Sequence, residues 1–408
     1  MTDYYTFREF AAQARGHEIV VVGKPGVWSW DALNPGTAAL LEVADVEPDD
    51  RVLDLGCGTG VVGAVAGLLA PRGHVTLVDC NVAATACAER TIEANDVVNA
   101  DVRLADGVIG LAPASFDRVL SHLPRGRAVQ EELIRGAAWA LRPGGRFYLV
   151  ASKRVGVKGA IAYARELFGQ CGVVRQKKGY HVALAVKPAH LRLPPLADGY
   201  VARTITLDGV ETVLISKPGV FAWDRLDDGT VALVGAMEIG ARDCVLDLGC
   251  GTGLAGLAAA RRASGGQVTL VDADVRAVES ARRTLEANLC GTGLSACPSG
   301  GLESPRHFVA NAEVQLSDCW SAIRERRFDV VVANPPFHQG LGVDYEVARQ
   351  FVSDAARVLG AGGRLFLVAN RFLRYDDLIR ETFGNVATAY ADGRYHVLTA
   401  VAQEAGSG

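Results

Sequence analysis

At 408 residues, 49% hydrophobic and 22% charged with 46 glycines, the chain exceeds one ordinary core and suits two packed domains of about 150 to 200 residues each. That composition excludes a disordered or collagen-like protein, and nine cysteines without a C-x-x-C pair point to neither a disulfide framework nor a metal site. No stretch reaches the roughly 18 uncharged apolar residues that cross a bilayer, and the start MTDYYTFREF lacks a signal-peptide pattern, so a cytoplasmic protein without membrane contact is expected, as a monomer.

In chain order, the first half carries KPGVWSWD at 24–31, VLDLGCGTG at 52–60, VTLVD at 75–79 and Glu93-Ala94-Asn95. Each returns 193 residues later, at 217–224, 245–253, 268–272 and 286–288. A constant offset over four motifs marks a duplicated domain. The offset then grows to 212 and 218, which places extra residues in the second copy around the Gly/Ser/Pro-rich GTGLSACPSGGLESPRHF, read as a surface loop. Proline-rich KPAHLRLPPLADG reads as the linker, giving domains 1–195 and 196–408.

Each half alternates β-type and helix-type stretches, the pattern of a mostly parallel sheet covered on both faces. The predicted fold is α/β, two tandem Rossmann-like domains with seven-stranded sheets. In the second copy strands are predicted near 245–248, 268–272, 313–316, 328–333, 364–369, 386–390 and 395–401. Helices are predicted after Gly253 and over Val275–Asn288, Asp344–Leu359 and Tyr375–Phe383. Ligands of such sheets lie at the carboxyl ends of the strands.

The net charge of −4 is unevenly spread: residues 118–192 hold 15 Lys/Arg against 3 acids, a local balance of +12. Arg125/Arg127, Lys153/Arg154/Lys158 and Arg175/Lys177/Lys178 form a candidate footprint for nucleic-acid phosphates, with an ordinary solvated face as the plain alternative.

Asp247, Gly249, Cys250, Gly251 and Gly253 end a strand and open a helix, a turn where backbone approaches a ligand. Gly251-x-Gly253-x-x-Gly256 with Asp272 following also satisfies a dinucleotide pattern. Asp247 favours a cationic sulfonium over a pyrophosphate, as do Asp318 and the Asn-Pro-Pro-Phe run. Asp272 then binds ribose hydroxyls or merely caps the following helix.

Asn334-Pro335-Pro336-Phe337-His338 ends a buried strand in a loop stiffened by proline. Methylation of an amide-like or aniline-like nitrogen needs such a loop, because that nitrogen's lone pair is delocalised. The Asn334 oxygen and the Pro335 carbonyl can accept its two hydrogens and turn the lone pair toward a methyl donor. Phe337 would stack on the target ring, and His338 has no settled role.

KPGVFAWDRLDDGT, DLGCGTG, ANPPFHQG, GGRLFLVANRFLRY and RYHVLTAVA together resemble the bacterial ribosomal RNA guanine-(N2)-methyltransferases of the small-domain superfamily, the tandem-domain small-subunit type, over nearly the whole chain. The resemblance implies S-adenosyl-L-methionine as cofactor and 16S ribosomal RNA or the small subunit as partner. It implies Asp247, Gly249 and Gly251 at the methionine end, Asp272 at the ribose, Asp318 at the adenine amino group and Asn334 to Phe337 at the guanine. Lys217 to Phe221 is expected to close over the cofactor, and Asn370-Arg371-Phe372 belongs to the pattern without an assigned role.

The first copy departs from this. His122-Leu123-Pro124-Arg125 stands where Asn334-Pro335-Pro336-Phe337 stands in the second, so catalysis is not expected there and RNA recognition is. Asp54, Gly56, Gly58, Gly60, Asp79 and Asp106 nevertheless keep a cofactor-type set, which leaves a second cofactor site open. Methylation of a large-subunit guanine, of adenine or of a protein glutamine also remains open, as does a non-catalytic RNA-binding assembly factor.

Overall fold

The computed structural model describes residues 4–290, 306–336 and 345–403. The chain divides into two compact units, Met1–Asp198 and Gly199–Gly408.

The first unit opens with a hairpin of β1 (Arg8–Ala14) and β2 (His17–Gly23), followed by α1 (Pro35–Val43), β3 (Arg51–Leu55), α2 (Val61–Leu69), β4 (His74–Asp79), α3 (Val82–Ala94) and β5 (Ala100–Leu104). It continues with β6 (Phe116–His122), α4 (Arg127–Ala140), β7 (Leu141–Ser152), α5 (Val157–Phe168), β8 (Cys171–Lys177) and β9 (Tyr180–Val186). The second repeats the plan: β10 (Val201–Leu207), β11 (Val210–Ser216), α6 (Asp228–Ala236), β12 (Cys244–Leu248), α7 (Leu254–Arg262), β13 (Gln267–Asp272) and α8 (Val275–Leu289). Then come β14 (Arg306–Val309), β15 (Ala312–Leu316), β16 (Phe328–Ala333), α9 (Tyr345–Val358), β17 (Leu359–Asn370), α10 (Tyr375–Phe383), β18 (Ala387–Ala391) and β19 (Tyr395–Val401).

The first sheet has seven strands in the order β5-β4-β3-β6-β7-β9-β8. The second has eight, β14-β15-β13-β12-β16-β17-β19-β18, one more than expected. The extra strand, β14, pairs antiparallel with β15 at the outer edge and comes from the end of the segment read as loop. The central strands are parallel and apolar on both faces; four of the five residues of β12, Val245 to Leu248, are buried, as strands covered by helices require. The stretch expected to be a bare linker instead lays Leu191, Leu193 and Leu196 against the first unit's core.

Two features position the site. From β12 the chain runs outward through β13 to β15, then returns to β16 on the other side of β12, so the strand order reverses there and opens a crevice at the carboxyl ends. Leu248 pairs with Ala333, so the glycine loop and Asn334 leave the sheet side by side.

Each sheet is also preceded by a hairpin. Asp208 and Gly209, both at positive φ, make the two-residue turn of β10-β11, the backbone that matches strand twist. The repeated Asn of the Glu-Ala-Asn motif docks this hairpin: Asn288 accepts from Val213 N (2.9 Å) and donates to Val213 O (2.7 Å), like an added strand residue. Asn95 does the same with Val20 in the first unit (3.0 and 2.7 Å).

Candidate active site

Beyond β12 the chain turns through Gly249, Gly251 and Gly253, all at positive φ. The amides of Gly249 and Cys250 both donate to Val271 O at 2.9 Å, tying the turn to β13. The glycines differ in purpose. A Cβ on Gly253 would stand 2.8 Å from Ala281 Cα, and one on Gly256 2.2 Å from Leu270 Cδ2, so these two permit close helix packing. A Cβ on Gly251 would meet nothing within 4 Å, so this residue faces the open crevice.

Asp247 is buried, and its Oδ2 accepts from Gly256 N (2.8 Å) inside the first turn of α7. Burial pushes its pKa up to about 7. Asp272, at the end of β13, accepts from Gly251 N (3.0 Å) and from Asp274 N (3.0 Å), with its pKa raised to about 6 by burial. It does not cap α8; Asp274 does. Asp318 follows β15 and is half-buried, beyond Ser317, whose amide donates to Asp272 O at 2.8 Å. Burial, with the Asp272 and Asp247 carboxyls nearby, pushes the Cys250 thiol pKa up, which leaves it a packing residue rather than a nucleophile.

Asn334 is the first residue past β16. Its Nδ2 donates to Asp227 Oδ2 (3.2 Å) and lies 3.3 Å from Thr230 Oγ1, both at the start of α6. Asp227 is the N-cap of that helix and also accepts from Thr230 N (3.0 Å). With its nitrogen so held, the Asn334 Oδ1 is left buried and without a hydrogen-bond partner among the described residues. An unsatisfied buried acceptor costs about 1 to 3 kcal/mol, which a bound donor relieves. Pro335 is buried and Pro336 exposed. Phe337 and His338 lie outside the described residues. On the next strand end, Phe372 is 66% exposed while the Arg371 guanidinium donates to Asp392 O (3.0 Å). Lys217 is buried near the Tyr200 ring, whereas Phe221 is exposed.

Asp227 and Thr230 had not been singled out. The available signal was Asp-Asp-Gly-Thr ahead of an apolar run, which reads as a helix start and not as a side chain reaching across 107 residues.

The first unit repeats the loop closely. Gly63 N donates to Asp54 Oδ2 and Gly58 N to Asp79 Oδ2, both at 2.9 Å, and burial lifts the Asp54 pKa to about 7. Gly58 again faces open space, as does Gly56, whose counterpart Gly249 instead packs against the Phe351 ring. The strand end is different. His122 Nδ1 lies 3.0 Å from Thr37 Oγ1, and its ring packs edge-to-face on Trp28 (4.4 Å) and Tyr180 (5.6 Å). Burial holds its pKa down at about 4, so the ring is neutral. What remains between the Trp28 and His122 rings, Asp54 and the glycines is a cavity of about 60 Å³, small against the several hundred Å³ typical of small-molecule pockets.

The candidate RNA-binding residues separate into two groups. Arg127 pairs with Glu131 (2.6 Å), and Arg175 (2.8 Å) and Lys177 both pair with Glu42. Arg125, Lys153, Arg154, Lys158 and Lys178 are exposed.

Comparison with known proteins follows this division. The family described as Methyltransferase small domain matches residues 18–184 and again 211–399, one match in each unit. The chain belongs to that family. Among curated relatives of this methyltransferase family, it is 35% identical over 292 residues to the ribosomal RNA small subunit methyltransferase C of Hahella chejuensis, covering 71% of this chain and 79% of that one. It is 35% identical over 277 residues to the protein of the same name from Pseudomonas aeruginosa, covering 66% and 75%. Among solved structures, the T. thermophilus 16S rRNA N2 G1207 methyltransferase in complex with AdoMet and guanosine superimposes with a TM-score of 0.78 at 32% identity, over 97% of this chain and 98% of that one. Among the described residues, no helix is long and apolar enough to cross a membrane.

Proposed function

We propose that the chain transfers a methyl group from S-adenosyl-L-methionine to the exocyclic N2 of a guanine in 16S ribosomal RNA, with the chemistry in the second unit. The observation that carries this reading is the buried, unpartnered Asn334 oxygen beside the glycine loop.

The residues present suit the cofactor: an open Gly251 and two carboxyls, Asp247 and Asp272, at adjacent strand ends. When bound, S-adenosyl-L-methionine supplies an electrophilic methyl on a sulfonium. Asp272 is assigned to the ribose and Asp318, farther along the same edge, to the adenine, with the backbone of Gly249 to Gly253 assigned to the methionine end. Asn334 Oδ1 and the Pro335 carbonyl accept the two N–H groups of the guanine amine. That draws the lone pair out of conjugation, aims it along the line of attack and steadies the positive charge that grows on nitrogen. No strong base is required, since the proton becomes acidic only after alkylation. Phe337 is assigned to stacking on the base. In the first unit His122 fills the equivalent position, so no turnover is assigned there. The site of action is then the cytoplasm, at the small subunit.

The test is incubation of small subunits and of naked 16S RNA with labelled S-adenosyl-L-methionine, followed by nucleoside mass spectrometry. N2-methylguanosine is expected from wild type, and Asn334→Ala is expected to abolish it while still binding the cofactor. Label in protein, in adenine or in large-subunit RNA would overturn the reading.

A further inference from the structure

Of the three residues at the end of β17 that carry no role so far, Asn370, Arg371 and Phe372, only the first is both polar and uncommitted. The Arg371 guanidinium donates to Asp392 O (3.0 Å), and the Phe372 ring is exposed. Asn370 is half-buried, and its side-chain amide forms no hydrogen bond among the described residues. Its backbone, by contrast, is fixed on both sides. Asn370 O accepts from Leu373 N (2.9 Å), a residue anchored in the core, and Arg371 N donates to Arg394 O (3.0 Å). The amide is therefore held in place with its donor and its acceptor both open.

The sheet sets this amide beside Asn334. Val330 and Val332 of β16, Phe366 and Val368 of β17 and Tyr395 of β19 share one core cluster, on the face that α6 covers. Side chains alternate along a strand, so Asn334 and Asn370 continue that same face at the carboxyl ends of β16 and β17. The bond from Asn334 to Asp227, at the start of α6, places Asn334 there independently. Ala333 pairs with Leu367, so Asn370 stands one strand over and two residues farther out than Asn334. At the usual strand spacing and rise, the two Cα atoms are on the order of 8 Å apart, which leaves the edge of one purine between the two amides.

The first unit exchanges both amides and keeps the frame around them. At offsets of 212 and 218, fixed by the strand register, His122 stands for Asn334 and Ser152 for Asn370. The residue opposite is unchanged: Tyr395 pairs with Asn370, and Tyr180 with Ser152. The sheet therefore closes equally well without an amide at this position, which ties Asn370 to the work assigned to the second unit.

We propose that Asn370 reads the N1–H and O6 edge of the target guanine and thereby determines which base is methylated. This deepens the function assigned above and rests on it. With the exocyclic N2 held by Asn334 Oδ1 and the Pro335 carbonyl, the next groups along that edge of guanine are the N1–H donor and the O6 acceptor. The Asn370 amide offers the complement, Oδ1 accepting from N1–H and Nδ2 donating to O6. An adenine that presents its own amine to Asn334 places N1, an acceptor, and then a C–H at this point, so the amide keeps at most one bond. A site built to hydrogen-bond a group rejects the analogue that lacks it.

The experiment uses the full chain and 16S RNA ligated to carry either guanine or 2-aminopurine at the methylated position. 2-Aminopurine keeps the reacting amine but has neither N1–H nor O6. Wild type is expected to methylate the guanine RNA with a kcat/KM about 10- to 100-fold above that for the 2-aminopurine RNA, as for a two-bond base contact. Asn370→Ala is expected to lose a similar factor on guanine and little on 2-aminopurine, so that its ratio between the two RNAs falls to within about threefold. Cofactor affinity and melting temperature are expected to match wild type; if they do not, Asn370→Ser, which installs the side chain found in the first unit, carries the same comparison. A variant that slows on both RNAs alike and keeps the wild-type ratio would show a structural role and overturn the proposal. Equal rates of wild type on the two RNAs would overturn it without any variant. Absence of methyl transfer to guanine by wild type would instead overturn the assigned function.

Discussion

Asp227 touches no substrate in this reading, yet it decides which way the Asn334 amide points. The carboxylate takes the amide nitrogen at 3.2 Å and thereby leaves the oxygen toward the crevice. Asp227→Asn preserves the helix cap, because Asn caps as well as Asp, but turns a charge-assisted hydrogen bond into a neutral one of about half the strength. A loss of about 1 kcal/mol in orientation gives a fall of roughly five- to tenfold in kcat, with KM for RNA and cofactor affinity unchanged. Asn334→Asp is the harsher change. It sets a second carboxylate oxygen about 3.2 Å from Asp227 Oδ2, a repulsion of about 5 kcal/mol at an effective dielectric of 20. The pair escapes by retaining a proton, which disturbs the acceptor facing the substrate, and kcat is expected to drop by about 100-fold or more. Combining the two exchanges donor and acceptor: the new amide at 227 donates to the new carboxylate at 334, whose other oxygen again faces the crevice. Single-turnover methylation at saturating RNA and cofactor reads all three. Recovery of at least tenfold in the double variant over Asn334→Asp is expected; no recovery, or full kcat in Asp227→Asn, would refute the orienting role.

Two further predictions concern the scaffold. Asp54 has a folded-state pKa near 7 against an ordinary 3.8, so its ionisation opposes folding: its contribution is most favourable below pH 3.8 and is lost as pH rises through 7. Asp54→Asn, which keeps an acceptor for Gly63 N, should therefore gain stability relative to wild type as pH rises from about 4 to 7, then level off; a pH-independent difference in melting temperature would sink this. Gly256→Ala should cost about 1 to 3 kcal/mol by overpacking against Leu270, despite the better helix propensity of alanine. Gly235→Ala, in α6 with nothing within 4 Å of the added carbon, should instead stabilise by a few tenths to 1 kcal/mol, and denaturant melts of the two variants should move in opposite directions.

Much of the architecture was legible because the strands of a doubly covered sheet are short apolar runs bounded by glycine and acidic residues. Six of the seven strands expected in the second unit fall within a residue of their ranges. β17 starts at Leu359, five residues earlier than the expected 364, because the strand runs back through Gly362 and Gly363 to pair Leu359 with Phe328. β14 escaped because Arg306–Val309 is four residues long and follows a turn-rich segment. The hairpins escaped for another reason: Asp208-Gly209 between alternating residues is a strong turn signal that was read past. Charge was the least transferable quantity. Counting along residues 118–192 missed Glu42, which lies 133 residues from Arg175 and neutralises part of the supposed footprint. Local composition sees only charges near in sequence, whereas an ion pair is set by the fold.

The two strand ends also show how one scaffold carries two different polar arrangements. In both units a threonine in the first turn of the preceding helix meets a side chain at the end of the central strand, Thr230 with Asn334 just past β16 and Thr37 with His122, the last residue of β6. A polar link to the threonine is present in both units. The helix cap changes with it. Asp227 becomes Asn34, whose own amide nitrogen donates to Tyr180 OH at 3.1 Å and whose oxygen accepts from Gly36 N at 2.7 Å. With its oxygen committed to the helix and its nitrogen to tyrosine, Asn34 has no carboxylate with which to orient an amide at position 122. On the proposed reading, the assignment of methyl transfer to the second unit alone rests on the capping residue and the strand end together.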